Sequence, residues 1–127
     1  MNKLLELAKT AQTNSYSPYS NFKVGAAVKG KSGKIYTGCN IENASYGLTL
    51  CAERAAIFNA ISNGESTITE IAITCTGNNA DDNPSSLMPC GSCRQVMSEF
   101  CDQDTVIYID GFGSTTLKEI LPNPFQI

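Results

Sequence analysis

The 127-residue sequence has no histidine, so a metal site in this chain cannot draw on imidazole ligands. Charge is scarce as well. Charged residues make up 17% of the chain, with 9 basic against 12 acidic side chains. A nucleic-acid-binding protein normally presents a basic face, because phosphate contacts supply most of its affinity. No such face is visible, so a nucleic-acid partner is not expected and a small neutral ligand fits better. Long apolar runs are missing too: no segment approaches the roughly 18 residues of a membrane span. The opening stretch MNKLLELAKTAQ is amphipathic and charged throughout, without the apolar core of a secretory signal. There is no linker, repeat or low-complexity tract. These absences lead to the expectation of a cytoplasmic chain that forms one domain over residues 1–127 and has no membrane partner. A chain of this length buries roughly two-thirds of its unfolded surface.

Cysteine, by contrast, is plentiful, with six in the chain. Cytosolic thiols stay reduced, so clustered cysteines there indicate metal binding or catalysis more than disulfides. Their placement follows from the periodicity. Leu4, Leu5, Leu7, Ala8 and Ala11 fall on one helical face, which predicts a helix over 2–13. FKVGAAVKG and KIYTGCNIE read as two strands joined by a glycine-containing turn, hence a hairpin. LCAERAAIFNAIS has helical periodicity, with Asn63-Gly64 as its stop and Thr49 as its N-cap, which would put Cys51 in the first turn. ITEIAITCT reads as a buried strand. PCGSCRQVMSEF reads as a helix with Pro89 in its first turn. TVIYI is a strand and TTLKEIL a short helix. This alternation suggests a mixed sheet with helices on both faces.

Cys90 and Cys93 stand three apart on one of these helices, so both thiols can leave the same turn in the same direction. Alone, such a pair suits either a redox motif or half a zinc site. Cys51 changes the balance, because it also opens a helix, and helix N-termini favour thiolate over thiol. Three thiolates without a fourth protein ligand leave one coordination position open, as in catalytic zinc sites. Glu53 would then sit where it can move a proton. Arg54 would donate hydrogen bonds to the thiolates and withdraw their charge. Cys39, Cys75 and Cys101 read as small buried hydrophobes.

The combination CAER at 51–54 with PCGSCRQV at 89–96 resembles the short, all-cysteine form of cytidine deaminase. SYSPYSNFKVGAAV, GCNIENASYGLTLCAERAAI and LKEILPNPF extend the resemblance over nearly the whole chain. It implies a three-layer α/β/α sandwich with a mixed five-stranded sheet. It implies one Zn²⁺ on Cys51, Cys90 and Cys93, with Glu53 as the catalytic acid/base. Phe22, Asn40 and Glu42 would line a nucleoside site, Asn40 and Glu42 on the ribose hydroxyl, with the backbone of Ala52 facing the pyrimidine. Ala44, Tyr46 and Phe125 would reach the site of a neighbouring subunit in a homotetramer. The implied reaction is deamination of cytidine and 2′-deoxycytidine to the uridine forms, in pyrimidine salvage. A blasticidin-type aminonucleoside deaminase shares the zinc motif, but NIEN and LPNPF point to cytidine deaminase. A non-enzymatic zinc module would need a fourth ligand such as Cys39. The loop before Pro89, NADDNPSSLM, is somewhat long and is expected near the site mouth.

Overall fold

The structure is a computed structural model that describes residues 2–76 and 87–127. Its helices are α1 (Lys3–Gln12), α2 (Ala52–Ser62), α3 (Gly91–Phe100) and α4 (Leu117–Ile120). Its strands are β1 (Lys23–Gly30), β2 (Ile35–Cys39), β3 (Ile68–Thr76), β4 (Cys101–Ile109) and β5 (Gly113–Thr116). They form one sheet in the order β2-β1-β3-β4-β5. β1 and β2 are the expected antiparallel hairpin, and Gly33 takes a positive φ of 92° in its turn. β3 and β4 run parallel, so the chain must cross between them, and α3 lies on that crossover.

The sheet is apolar on both faces, and alternate residues point to opposite sides. On one side Ala27 of β1 and Ala72 of β3 pack with Leu4 and Ala8 of α1. On the other, Ala26, Val28, Ile71, Ile73, Ile107 and Ile109 pack with Ala56 and Ile57 of α2, Met97 of α3 and Leu117 of α4. The result is an α/β/α sandwich in which α1 covers one face and the other three helices share the second. Two glycines set the spacing between layers. A Cβ on Gly25 would lie 2.1 Å from the Ala8 carbonyl oxygen of α1, and one on Gly38 would lie 2.4 Å from the Ala56 nitrogen of α2. The helices therefore approach the backbone of the hairpin more closely than any side chain permits.

Several boundaries differ from those the sequence suggests. Thr49 is not the cap of α2; its hydroxyl instead accepts from the Asn43 N–H, and Cys51 is the N-cap, one residue outside the helix. Pro89 likewise precedes α3, whose N-cap is Cys90. The Cys90 sulfur takes the place of the usual Ser or Asp oxygen and accepts from Cys93 N–H at 3.5 Å. Thr115 and Thr116 do not begin the last helix but close β5, because their backbones pair with Ile107 and Val106. β2 ends at Cys39, and Ile41 is held separately by isolated bridges to Tyr16 and Leu50.

Candidate active site

The N-termini of α2 and α3 meet on the same face of the sheet, and each carries a cysteine at the cap. Cys51 Sγ lies 3.9 Å from Cys90 Sγ, and Cys90 Sγ lies 3.3 Å from Cys93 Sγ. All three sulfurs fall within 4.8 Å of one another. Sulfur ligands about 2.3 Å from a tetrahedral zinc stand about 3.8 Å apart, so these separations fit that ion. The soft thiolate set suits zinc as well. Cys39, on β2, is not a member of the cluster among the described residues, so it is not the fourth ligand that a purely structural zinc module would need. All six cysteines are free thiols.

The electrostatics of the cluster are uneven. The Cys51 thiol is pulled down to about 5 by the neighbouring Cys93 thiol and by Arg54, whose Nη2 donates to the sulfur at 3.3 Å. Cys93 is pushed upward by the Cys51 sulfur beside it and by its burial. Without metal, one thiolate thus forms first at Cys51, and its neighbour keeps its proton. Arg54 Nε is buried without a partner among the described residues, which leaves the guanidinium a further N–H beside the sulfurs.

Glu53 sits in the first turn of α2 and is only 5% exposed. Burial, then the charge of Cys51, raises its carboxyl to about 7. A carboxyl in that range can carry a proton in either direction at neutral pH. It opens on a cavity of about 330 Å³, at the lower end of small-molecule sites. Cys51, Cys90, Ala52, Phe22, Asn40 and Glu42 line the same cavity. Leu87 and Met88, the last residues of the loop before Pro89, form part of its wall; residues 77–86 of that loop lie outside the described residues.

Asn40 and Glu42 are held firmly. Asn40 Oδ1 accepts from Ser15 Oγ at 2.5 Å and Val24 N–H at 2.9 Å, while Nδ2 donates to the Phe22 carbonyl at 2.7 Å. Its oxygen is saturated, so what remains for a ligand is one amide N–H. Glu42 Oε1 accepts from the N–H groups of Tyr19 and Ser20 at 3.0 and 3.2 Å, and Oε2 from the Ser20 hydroxyl. The Ser20 hydroxyl hydrogen bond, with those from the backbone, holds the Glu42 carboxyl below its ordinary value, so it is ionised at neutral pH. A donor and an acceptor therefore stand two residues apart, which matches a hydroxyl group. Bridges from Ile41 to Tyr16 and to Leu50 tie this segment directly to the residue before Cys51.

The remaining candidates are placed differently. Tyr46 is 90% exposed and stands at the cavity mouth, and with Ala44 it lines an adjoining depression of about 280 Å³. Phe125 is 72% exposed and lies outside the cavity, near Ser98 and Glu99 of α3. Ser15, Ser20 and Arg94 escape the sequence reading, since a serine in a turn or an arginine on a helix carries no signal of its partner. Cys75, read as a buried hydrophobe, is half-buried in the cavity wall, and burial raises its thiol.

Residues 1–109 match the family described as the cytidine and deoxycytidylate deaminase zinc-binding region. The chain belongs to this family. It is 44% identical over 126 residues to a cytidine deaminase of Halalkalibacterium halodurans, covering 96% of this chain and 91% of that protein. It is 40% identical over 130 residues to a cytidine deaminase of Sporosarcina psychrophila, covering 99% of this chain and 91% of the other. The crystal structure of cytidine deaminase from Burkholderia pseudomallei superposes with a TM-score of 0.86 at 41% identity, over 98% of this chain and all of that one. Members of this family bind zinc, and the three thiols of the present chain are placed to do so. No described helix is long and apolar enough to cross a membrane.

Proposed function

We propose that this chain hydrolytically deaminates cytidine and 2′-deoxycytidine to uridine and 2′-deoxyuridine, releasing ammonia, with one zinc per subunit on Cys51, Cys90 and Cys93. The observation that carries the reading is the position of Glu53, buried in the cavity wall beside a three-thiol cluster of zinc dimensions. When bound, the metal supplies a water acidic enough to act as nucleophile at neutral pH. Glu53 takes up the proton that this water gives up, delivers it to ring N3, and later carries the second proton to the departing amine. The Ala52 backbone and the Phe22 ring hold the pyrimidine against the cluster. A sugar hydroxyl donates to the Glu42 carboxylate and accepts the free Asn40 N–H.

The same lining argues for a nucleoside over a nucleotide. Glu42 and Glu53 are the charged residues among those described around the cavity, and none is Lys or Arg. A phosphate beside Glu42 would meet a carboxylate with no Lys or Arg among the described lining residues to offset it.

The site is completed by neighbours in a homotetramer, in which Ala44, Tyr46 and Phe125 serve adjacent sites. In support, Tyr16, Tyr19, Ile41, Tyr46 and Leu48 are all exposed, an apolar surface of the kind that marks association. The expected location is the cytoplasm, where the thiols stay reduced.

The reaction is tested by an absorbance assay of zinc-loaded protein on cytidine, 2′-deoxycytidine, cytosine and cytidine 5′-phosphate. Turnover of both nucleosides, with little on the base or the phosphate, is expected; equal kcat/KM on cytidine and cytosine rejects the sugar subsite. The shared site is tested by mixing Glu53→Gln chains with chains truncated after Asn123. Activity above the sum of the parents is expected after subunit exchange, and strict additivity rejects sharing.

A further inference from the structure

Arg94 follows Cys93 on α3, and its backbone N–H donates to the Cys90 carbonyl at 3.0 Å. Its guanidinium reaches in two directions. Nε donates to the Pro89 carbonyl at 2.8 Å, and Nη1 donates to the Ile120 carbonyl at 2.7 Å. These acceptors belong to separate parts of the chain. Pro89 immediately precedes Cys90 at the cap of α3. Ile120 is the last residue of α4, a helix of four residues. A single turn of that length does not persist unaided. Thr116 Oγ1 caps its start by accepting from Glu119 N–H at 3.3 Å, and Leu121 N–H takes the Leu117 carbonyl at 2.8 Å. The Ile120 carbonyl is left to Arg94, whose positive charge also meets the negative end of the helix. Beyond Ile120, residues 121–127 form no helix or strand of their own.

We propose that Arg94 is a positioning residue that braces the metal-ligand turn and the C-terminal tail against each other, so that zinc retention and tail order depend on one guanidinium. Hydrogen bonds from a charged donor are stronger than neutral ones, and here both are short. The planar fork offers N–H groups in two directions from one rigid unit, which the single ammonium of lysine does not. The consequence for catalysis rests on the shared-site reading above: a subunit whose Cys90 turn loosens would also loosen the Phe125 it lends to a neighbour.

The test uses zinc-loaded protein and two variants. Arg94→Met keeps the packing of the stem without the donors; Arg94→Lys keeps the charge without the fork. Zinc release to an excess of a chromophoric chelator reports on the Cys90 turn. Hydrogen–deuterium exchange of peptides from 117–127 reports on the tail, with β1 and β3 peptides as reference. Arg94→Met is expected to release zinc at least about tenfold faster and to exchange faster over 117–127 by a similar factor, with β1 and β3 unchanged. Arg94→Lys is expected to recover at most one of the two. Either readout unchanged in Arg94→Met overturns the brace, as does acceleration spread equally over β1 and β3. Should Arg94→Met not fold, native behaviour of Arg94→Lys on both readouts overturns it. Neither readout involves activity, so a failed subunit-mixing experiment alongside two moved readouts removes the shared site and leaves the brace standing.

Discussion

Glu53→Gln separates the two things that burial does to this carboxyl. The substitution preserves shape and removes the titrating group. In the metal-free chain Glu53 has its carboxyl raised from 4.5 to about 7. At about 1.4 kcal/mol for each tenfold in the proton equilibrium, that corresponds to about 3 kcal/mol. Because the folded value lies above the unfolded one, the group costs nothing at pH 4, where both states are protonated. Between about 4.5 and about 7 the unfolded chain releases the proton and the folded chain keeps it, so stability falls as pH rises. Above about 7 the full cost is present. Metal-free Glu53→Gln should therefore match the native chain near pH 4 and exceed it by about 3 kcal/mol near pH 8. Urea denaturation in the presence of a thiol reductant and a chelator, across that range, measures the difference. The zinc-loaded variant should meanwhile keep its metal and lose roughly 10²–10⁴-fold in kcat. A stability difference that stays flat with pH would refute the buried, titrating Glu53. Near-normal kcat with full zinc content would refute its role in proton transfer.

Arg54→Gln should weaken zinc binding more at pH 6 than at pH 8, because the Cys51 thiol loses the donor that helps keep it ionised; chelator competition at the two pH values checks the sign. Glu42→Ala should cost cytidine about 1.5–3 kcal/mol in kcat/KM, the worth of a hydrogen bond to a charged group, and leave free cytosine nearly unaffected; equal losses on both would place Glu42 in the fold alone. Gly38→Ala should destabilise the chain by about 1–3 kcal/mol in thermal or urea unfolding, since its Cβ would meet α2 backbone at 2.4 Å and that helix cannot yield without moving Cys51. Zinc added to metal-free protein in weak buffer at pH 7 should release at least one proton, from Cys93, and a titration with no release would contradict its protonated state.

The chemistry of this chain was legible in one dimension because it is local. Cys90 and Cys93 share a turn, as do Cys51, Glu53 and Arg54, and helical geometry alone brings each set together. The absence of histidine then left thiols and carboxylates as the available metal ligands, and the placement of three cysteines at two helix starts singled out the thiols. The hairpin, the buried strands and the helix stop at Asn63-Gly64 were equally readable, since alternation and turn residues are short-range signals. The cap positions were not, because Thr49 and Pro89 satisfy the statistical preference while the cysteines take the geometric one. β5 was hidden in GSTT, whose strand character comes from its pairing with β4. Only the tertiary structure brought the two helix N-termini to within bonding distance of one ion. It alone enclosed Glu53 deeply enough to raise its carboxyl. It also gave Asn40 and Glu42 their partners Ser15 and Ser20, and sent one arginine to two carbonyls that lie far apart in the chain. Spacing along a helix is fixed by the backbone, whereas burial and long-range hydrogen bonds exist only once the sheet has set its layers in place.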